Sequence, residues 1–238
     1  MTPPVRRKGL FVTGTDTGVG KTVVACALVR LALARARRLI PFKPVETGCA
    51  PDPSDALALW EAARRPVPRD AVCLYPLALP AAPAVAAAAA NQLIDFDAIE
   101  TRADELQAAG DALIIEGAGG LLVPYRGATT TADLATQLGL PLLVVARSAL
   151  GTINHTALTL FEITRRQLPL AGLVLVQTTS DGTDPAENSN QIKILTGSAS
   201  LGVLPHLAPG SDADKIAAAL ASAIGEHGLN HLFRQAGL

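Results

Sequence analysis

The sequence lacks the features that would tie the protein to a membrane, an oxidising compartment or a polyanion. No run of about 18 apolar residues occurs, which excludes a membrane-spanning helix, and the early apolar run Leu10–Val12 is too short for the core of a signal peptide. The formal net charge is −1, so no basic excess favours nucleic acid or an anionic membrane surface. We therefore expect neither as a partner.

Cysteine is also scarce. Cys26, Cys49 and Cys73 are odd in number and show no CxxC spacing, which excludes a disulfide framework and a cysteine-rich zinc site. Scattered, unpaired thiols are typical of a reducing compartment, so we expect a cytoplasmic protein.

The chain is long enough for a large core. It has 238 residues, of which 49% are hydrophobic and 17% are charged, which allows one large domain or two small ones. No internal repeat and no linker interrupts it. We therefore expect a single domain over residues 1–238.

Short apolar runs alternate with longer helical patterns along the chain. The predicted strands are Leu10–Thr13, Leu39–Phe42, Ala112–Ile115, Leu142–Ala146, Leu173–Val176 and Leu201–Leu204. The predicted helices are Thr22–Ala36, Asp55–Ala63, Phe96–Ala109, Thr131–Leu138, Thr152–Gln167, Pro185–Leu195 and Asp212–Ala223, while Ala81–Ala90 fits a helix or a surface loop. Continuous apolar strands between helices predict a doubly wound α/β fold, with a mostly parallel sheet and helices on both faces.

A glycine-rich segment, Gly14–Thr22, lies between the first predicted strand and the first helix. In this context backbone N–H groups and a helix N-terminus bind phosphate, and Gly18 and Gly20 allow close approach. Lys21 is placed for the β- and γ-phosphates and Thr22 for Mg²⁺. A turn that binds nothing is the plain alternative, which the Gly-Lys-Thr at the strand–helix junction disfavours. We therefore expect a P-loop NTPase-like fold.

The loop departs from the strict Gly-x4-Gly-Lys-Thr pattern, because Thr15 stands where that pattern has glycine. It resembles instead the deviant loop Gly-Lys-Gly-Gly-Val-Gly-Lys-Thr of partitioning ATPases and nitrogenase iron proteins, with Asp16 in place of their additional signature lysine. The candidate nucleotide-binding residues of the loop are Gly18, Val19, Gly20, Lys21, Thr22 and Val23.

The phrase Gly-Thr-Asp-Thr-x-Val-Gly-Lys-Thr, at Gly14–Thr22, resembles the loop of the dethiobiotin synthetases. Four later segments are similar to motifs of the same family: Lys43–Gly48, Ser54–Leu57, Glu116–Gly120 and Leu150–His155. The similarity runs from about residue 10 to residue 207. Five motifs in order are far more specific than a P-loop alone.

The resemblance implies an ATP- and Mg²⁺-dependent ligase of biotin biosynthesis. The family joins CO2 to 7,8-diaminopelargonate as a carbamate, activates the carbamate as a carbamic–phosphoric anhydride, and closes a cyclic urea. Holding the reactants together is the main catalytic task, and it can supply about 7–11 kcal/mol. No protein nucleophile is needed.

Lys43 follows the predicted strand Leu39–Phe42 directly. The carboxyl ends of strands form the ligand crevice of a doubly wound sheet, although an exposed strand-end charge is the plain alternative. The resemblance implies that Lys43 and Lys21 are catalytic, with Lys43 stabilising the carbamate and the transferring phosphoryl group. It also implies that Thr17 and Thr47 contact the substrate.

Two carboxylates are candidate magnesium ligands. Glu116 follows the predicted strand Ala112–Ile115, where the acidic residue of a P-loop protein is expected. Asp55 would serve equally as a helix cap with Ser54, and the resemblance favours the ligand role. With Thr22 they offer the oxygen atoms that Mg²⁺ prefers. After Glu116 we expect a turn at residues 117–120, with free N–H groups near the γ-phosphate at Gly117, Ala118 and Gly119.

The segment Leu150–Asn154 opens a predicted helix, so its N–H groups suit an anion. The resemblance implies that it holds the substrate carboxylate of the neighbouring subunit, and hence that the protein is a homodimer. An ordinary capped helix start is the alternative. The candidate substrate residues here are Leu150, Gly151, Thr152 and Asn154.

The predicted adenine site departs from the family. An asparagine usually ends the strand that follows Ala171-Gly172, and it reads the edge of the base; here that position is Val176, followed by Gln177. Valine carries no side-chain donor or acceptor. The candidate base-site residues are therefore Val176, Gln177, Pro205, His206 and Leu207.

Two other functions deserve comparison. A partitioning-type ATPase switch is disfavoured by Asp16 and by the lack of a basic run or an amphipathic membrane-targeting tail. An amide-forming synthase of the same superfamily usually carries a glutamine-hydrolysing domain with a nucleophilic cysteine. A chain of 238 residues filled by one domain leaves no room for it.

Overall fold

Six parallel strands form the central sheet of the computed structural model, which describes residues 7–178, 184–208 and 210–238. The strands are β1 (Gly9–Gly14), β2 (Leu39–Phe42), β3 (Val45–Thr47), β4 (Tyr75–Leu77), β5 (Ala112–Gly120), β6 (Pro124–Arg126), β7 (Thr129–Thr130), β8 (Leu142–Arg147), β9 (Leu170–Val176) and β10 (Gly202–Leu204). The helices are α1 (Lys21–Leu33), α2 (Ser54–Ala62), α3 (Pro83–Ala89), α4 (Phe96–Gln107), α5 (Thr131–Leu138), α6 (Thr152–Arg165), α7 (Pro185–Thr196) and α8 (Ala213–Gln235). The order of the sheet is β10-β9-β8-β1-β5-β2.

Both faces of the sheet are covered by helices. On β1, Leu10 and Val12 pack into the core that α1, α2 and α8 form, while Phe11 packs into the core of α3 to α7. Every residue of β1 is buried, as expected for a central parallel strand whose two faces both meet helices. This arrangement confirms the doubly wound fold predicted from the sequence.

Three local predictions need correction or completion. The predicted turn at residues 117–120 is wrong, because β5 continues to Gly120, which pairs with Gly14 of β1. The segment Ala81–Ala90 contains the helix α3, and the last helix is longer than predicted, with non-helical backbone at Gly225. The glycines in β5 suggested a turn from sequence, but the strand continues through an irregularity in its pairing with β1, and Gly119 there has a positive φ of 65°.

Two small sheets were not predicted from the sequence. Strands β3 and β4 pair in parallel, and β6 and β7 pair antiparallel. Each strand has two or three residues, which is too short for a periodic pattern to emerge. The first small sheet adjoins the end of β2, because the Lys43 N–H donates to the Val72 carbonyl and the Tyr75 N–H to the Pro44 carbonyl.

Strand β1 is the point from which later strands are added to the sheet on both sides. Strand β1 pairs with β5 on one side and with β8 on the other, and the loop that follows it leads into α1. Ligands of doubly wound folds bind at the carboxyl ends of the strands at such a switch point. Within the described residues, no helix combines the length and apolar character needed to cross a membrane.

Candidate active site

The loop between β1 and α1 has the backbone that its glycines make possible. Gly18 and Gly20 adopt positive φ angles of 70° and 98°, which side chains other than glycine rarely tolerate. A Cβ atom on Gly20 would also lie 3.1 Å from a methyl carbon of Val176. The loop therefore needs glycine at position 20 both for its conformation and for its packing against β9.

Lys21 and Thr22 begin α1 with their polar groups turned to the loop and the sheet. The Lys21 ammonium donates to the Asp16 carbonyl at 3.0 Å, and the Thr22 hydroxyl donates to Glu116 Oε1 at 2.9 Å. Burial, together with the nearby charge of Lys43, lowers the pKa of Lys21 to about 8. The charged form of such a lysine is stabilised by an anionic partner such as a phosphate.

Lys43 lies at the carboxyl end of β2, where its ammonium group donates to Glu116 and the Gly117 carbonyl and pairs with Asp55. It lies 2.6 Å from Glu116 Oε1, 3.4 Å from Asp55 Oδ2 and 3.5 Å from the Gly117 carbonyl. Burial alone would lower the pKa of Lys43, but the charges of Glu116 and Asp55 outweigh it and raise that pKa. Lys43 is therefore a buried cation inside the site, and its interpretation as an exposed strand-end charge is wrong.

Glu116 is fully buried within β5. Its Oε1 atom accepts hydrogen bonds from Lys43 and Thr22, whereas Oε2 is buried without a hydrogen-bond partner among the described residues. Burial raises the pKa of Glu116, and Lys43 opposes that shift. A buried carboxylate oxygen without a partner is costly unless a ligand satisfies it, so Oε2 is available to a bound donor or cation.

Except for Glu116, which is fully buried and pairs with Lys43, these groups line a cleft of about 710 Å³. Of the residues predicted from sequence, it is lined by Thr17, Gly18, Gly20, Lys21, Thr22, Val23, Lys43, Thr47, Asp55, Ala118 and Gly119. Val19 is buried in the core below the loop. The loop, the end of β2 and the end of β5 thus contribute to one cleft.

One predicted anion donor is already engaged. The Ala118 N–H donates to the Tyr125 hydroxyl at 2.9 Å, and Tyr125 is itself buried against Phe96. The expectation of a free N–H group at Ala118 is therefore wrong. Tyr125 comes from β6, one of the short strands that the sequence did not reveal.

The predicted base-site residues lie beside the loop rather than on the lining of the cleft. Val176 is 6% exposed, and its methyl groups face Gly20. The Gln177 N–H donates to the Leu204 carbonyl, which brings the ends of β9 and β10 together. Pro205 and His206 are exposed and Leu207 is half-buried just beyond β10.

The segment Leu150–Asn154 also lies off the cleft lining. Gly151 caps α6 with a φ of 91°, and no side chain in the described part of the chain caps this helix. Thr152 is buried, whereas Gly151 and Asn154 are exposed. The structure therefore places Gly151 and Asn154 at the protein surface, away from the cleft lining.

Sequence reasoning missed Glu46 and the ion pair of Asp16 with Arg147. Glu46 lines the cleft from β3, and its carboxylate accepts from the backbone N–H groups of Asp55 and Ala56. Asp16 Oδ2 lies 2.6 Å from Arg147 at the end of β8. Glu46 lies within the family-like motif Lys43–Gly48, and this position could have marked it as a candidate site residue. No motif in the sequence around Arg147 indicates a functional role.

The cysteines supply no nucleophile to the site. All three are buried and unpaired, and burial raises the pKa of both Cys26 and Cys73 to about 12. Thiols of this kind remain protonated near neutral pH.

The class of the protein follows from these parts. A parallel six-stranded sheet carries a glycine-rich loop, a lysine and a hydroxyl at the start of α1, and an acidic residue on the strand beside it. These features define a P-loop nucleotide-binding protein. A family model described as an AAA domain matches residues 8–213.

Solved structures agree on the fold. The MinC:MinD cell division protein complex of Aquifex aeolicus aligns with a TM-score of 0.57 at 11% identity, covering 98% of this chain and 96% of the other. The signal recognition particle receptor FtsY of Elizabethkingia anophelis aligns with a TM-score of 0.50 at 14% identity, covering 91% and 66%.

Sequence relatives identify the family. The ATP-dependent dethiobiotin synthetase BioD of Anaeromyxobacter dehalogenans is 50% identical over 201 residues, which are 83% of this chain and 90% of the relative. That of Nitrosospira multiformis is 38% identical over 200 residues, 84% and 88% of the two chains. The chain belongs to the family of ATP-dependent dethiobiotin synthetases. The family predicted from five motifs is confirmed, and a partitioning-type switch is not favoured.

Proposed function

We propose that this chain carries out the reaction of its family on 7,8-diaminopelargonate, CO2 and ATP. One amine of the substrate captures CO2 as a carbamate. A carbamate oxygen then attacks the γ-phosphoryl group, which releases ADP and forms a carbamic–phosphoric anhydride. The second amine attacks the carbamate carbon, so phosphate leaves and the ureido ring closes. The observation that carries the proposal is that Lys21, Lys43 and Asp55 line one cleft, where the buried carboxylate of Glu116 is paired with Lys43.

The two lysines supply fixed positive charge for an anionic reaction. Lys21 is held at the loop by the Asp16 carbonyl, and Lys43 is held by Glu116. Both the carbamate and the transferring phosphoryl group are anions, and preorganised cations stabilise the charge that spreads in the transition state. Lys21 therefore acts on the phosphates and Lys43 on the carbamate and the γ-phosphoryl group, with Thr17 and Thr47 on the substrate side of the cleft.

The oxygen atoms of Thr22, Asp55 and Glu116 fit a magnesium ion. Glu116 Oε2 is buried and has no partner among the described residues, and Mg²⁺ typically takes one or two carboxylates together with waters and substrate phosphates. No group of three or more His, Cys, Asp or Glu side chains in the described ranges offers a dedicated cage. When bound, the ion neutralises charge on the β- and γ-phosphates.

A homodimer would bring the segment Leu150–Asn154 to a neighbour's cleft. Leu150 is 90% exposed, and Leu158 and Phe161 on α6 are 61% and 50% exposed. Asn154, Leu158 and Phe161 share one face of the helix because they are three or four residues apart. An apolar stripe of this kind indicates a protein interface. We propose that Gly151, Thr152 and Asn154 bind the substrate carboxylate of the partner subunit.

Two broader expectations remain part of the proposal. The family match over residues 8–213 supports one ligase domain over the chain. The three buried, unpaired thiols suit a reducing compartment, so we propose that the protein works in the cytoplasm.

The test is direct. The purified protein is incubated with 7,8-diaminopelargonate, bicarbonate, Mg²⁺ and ATP, and dethiobiotin, ADP and phosphate are quantified by mass spectrometry and a phosphate assay. We expect all three products in equal amounts. ATP hydrolysis without dethiobiotin, at a rate independent of the diamine, would contradict the proposal and favour a nucleotide switch.

A further inference from the structure

Helix α2 begins without a cap of its own. Its N-cap residue is Pro53, whose side chain has no hydrogen-bond acceptor, and no side chain of the N-cap bonds to the first turn. The sequence suggested that Ser54 and Asp55 cap this helix, but both lie within its first turn. The N–H groups of the first turn therefore need an acceptor from elsewhere in the molecule.

Glu46 of β3 is that acceptor. Its Oε1 accepts from the Asp55 N–H at 2.9 Å and from the Ser54 hydroxyl at 3.3 Å, and its Oε2 accepts from the Ala56 N–H at 2.9 Å. The residue is only 5% exposed. A buried carboxylate across the N-terminus of a helix is also favoured by the helix dipole.

Asp55, whose backbone N–H bonds to Glu46, is also the residue of α2 whose side chain pairs with Lys43. Asp55 is at the second position of α2, and its Oδ2 lies 3.4 Å from the Lys43 ammonium, which in turn contacts Glu116. The Asp55 side chain is 44% exposed, so packing does not hold it firmly. The backbone hydrogen bond to Glu46 is what fixes the start of the helix, and with it the place from which Asp55 reaches the cleft.

We propose that Glu46 is a positioning residue that orients Asp55 toward the metal ion and Lys43, and that it does not itself contact the substrate. This inference rests on the proposed magnesium site. Both carboxylate oxygens of Glu46 accept hydrogen bonds from the start of α2, so the carboxylate is directed to the helix although Glu46 lines the cleft.

The experiment measures metal binding apart from turnover. Mn²⁺ is titrated into the protein with a non-hydrolysable ATP analogue, and free Mn²⁺ is followed by electron paramagnetic resonance. Glu46→Gln keeps the size of the side chain, but its amide nitrogen is a donor that would face a backbone N–H. We expect Mn²⁺ affinity to fall about tenfold or more, as for other residues that orient metal ligands, while KM for the diamine stays unchanged.

A double-mutant cycle separates positioning from direct binding. Asp55→Asn should weaken Mn²⁺ binding, and adding Glu46→Gln to it should weaken binding no further, because Glu46 acts through Asp55. Asp95→Asn is the matched control, since Asp95 caps α4 by accepting from the Asp97 N–H and does not line the cleft. It should leave Mn²⁺ affinity unchanged.

Several outcomes would overturn the inference. Unchanged Mn²⁺ affinity in Glu46→Gln with a lower melting temperature would make Glu46 a structural cap only, and a higher KM for the diamine would make it a substrate ligand. Additive losses in the cycle would likewise contradict action through Asp55. If Asp55→Asn itself leaves Mn²⁺ binding intact, Asp55 is not a metal ligand, and the proposed magnesium site is contradicted together with the role of Glu46. Should Glu46→Gln not fold, Glu46→Asp keeps the charge on a shorter arm, and we expect it to lose less Mn²⁺ affinity than Asp55→Asn.

Discussion

The Lys43 ammonium lies 2.6 Å from Glu116 Oε1, and both side chains are almost completely buried. Such a pair is stable only while both partners are present, because either charge alone would be buried without compensation. Since Glu116 is also a proposed magnesium ligand, the same contact links the catalytic cation to the metal site.

Lys43→Ala should therefore slow the reaction and also destabilise the protein. The rate of dethiobiotin formation should fall about 10²–10³-fold, as for the loss of one electrostatic stabiliser, while the affinity for nucleotide changes little. A collapse of nucleotide affinity with kcat intact would instead make Lys43 a binding residue. Steady-state kinetics and equilibrium nucleotide binding distinguish the two.

The stability of the metal-free protein should fall as well, by about 3–5 kcal/mol, because Glu116 loses its partner. Burial raises the pKa of Glu116, so the carboxyl in the variant can bind a proton, and the loss should shrink as the pH falls. The double variant Lys43→Ala, Glu116→Gln should recover part of the stability. Denaturant unfolding in EDTA at several pH values checks both expectations; equal losses in the single and double variants would contradict them.

The sequence predicted the parts of this site that depend on long periodic elements. Strand β1, the loop before α1, the end of β2 and the place of Glu116 on β5 all follow from apolar runs and one glycine-rich segment. It could not predict the cap on α2 or the bond from Ala118 to Tyr125. Both come from strands of three residues, which carry no usable period and are positioned by tertiary packing.

Lys21→Ala should abolish turnover, because we propose that the loop lysine binds the β- and γ-phosphates, where charge moves during transfer. Single-turnover measurements with excess enzyme separate this loss from weaker ATP binding. The control is Lys193→Ala, a charge change on α7 that does not line the cleft. A Lys21→Ala variant with wild-type kcat would remove the loop from the mechanism.

Glu116→Gln should shift the dependence of the rate on magnesium, because it removes a negative charge from the proposed ligand set. The variant keeps an oxygen acceptor for the Thr22 hydroxyl, and Asp55 remains a charged partner of Lys43. We therefore expect a folded protein that is less stable than the wild type, because Lys43 loses its nearest carboxylate. A magnesium titration of the initial rate at fixed ATP should move to higher concentrations. An unchanged titration would exclude Glu116 as a ligand.

Mixed subunits test whether Asn154 acts across a dimer interface. Lys21→Ala and Asn154→Asp proteins should each be inactive alone. After unfolding and refolding together, half of the dimers pair one of each, and one of their two sites is intact, so about a quarter of wild-type activity should return. No recovery would place Asn154 in the cleft of its own subunit.

Sedimentation tests the interface itself. We expect the wild type to be a dimer and Phe161→Asp to dissociate it. A fully active monomer would contradict the proposed interface.

The last prediction concerns the base of the nucleotide. Discrimination of adenine needs a donor and an acceptor held against its edge, and a site built in that way rejects analogues because its own polar groups lose their partners. Val176 offers neither group, and it is buried with its methyl groups against Gly20. Binding of the triphosphate depends instead on the loop from Gly18 to Thr22 and on no feature of the base. We therefore expect CTP and GTP to support the reaction within about tenfold of ATP in kcat/KM, a difference of about 1.4 kcal/mol.

Gln177 is the side chain beside Val176 that could restore selectivity, because its amide carries the same groups as asparagine. The backbone N–H of Gln177 is bonded to Leu204, which leaves the side-chain amide to be tested by Gln177→Ala. If kcat/KM for ATP, CTP, GTP and UTP changes little in that variant, the side chain does not read the base. A preference of the wild type for ATP of about a thousandfold or more, lost in Gln177→Ala, would overturn the prediction. On our interpretation Val176→Asn should sharpen the preference for ATP, since it adds to the end of β9 the polar pair that valine lacks.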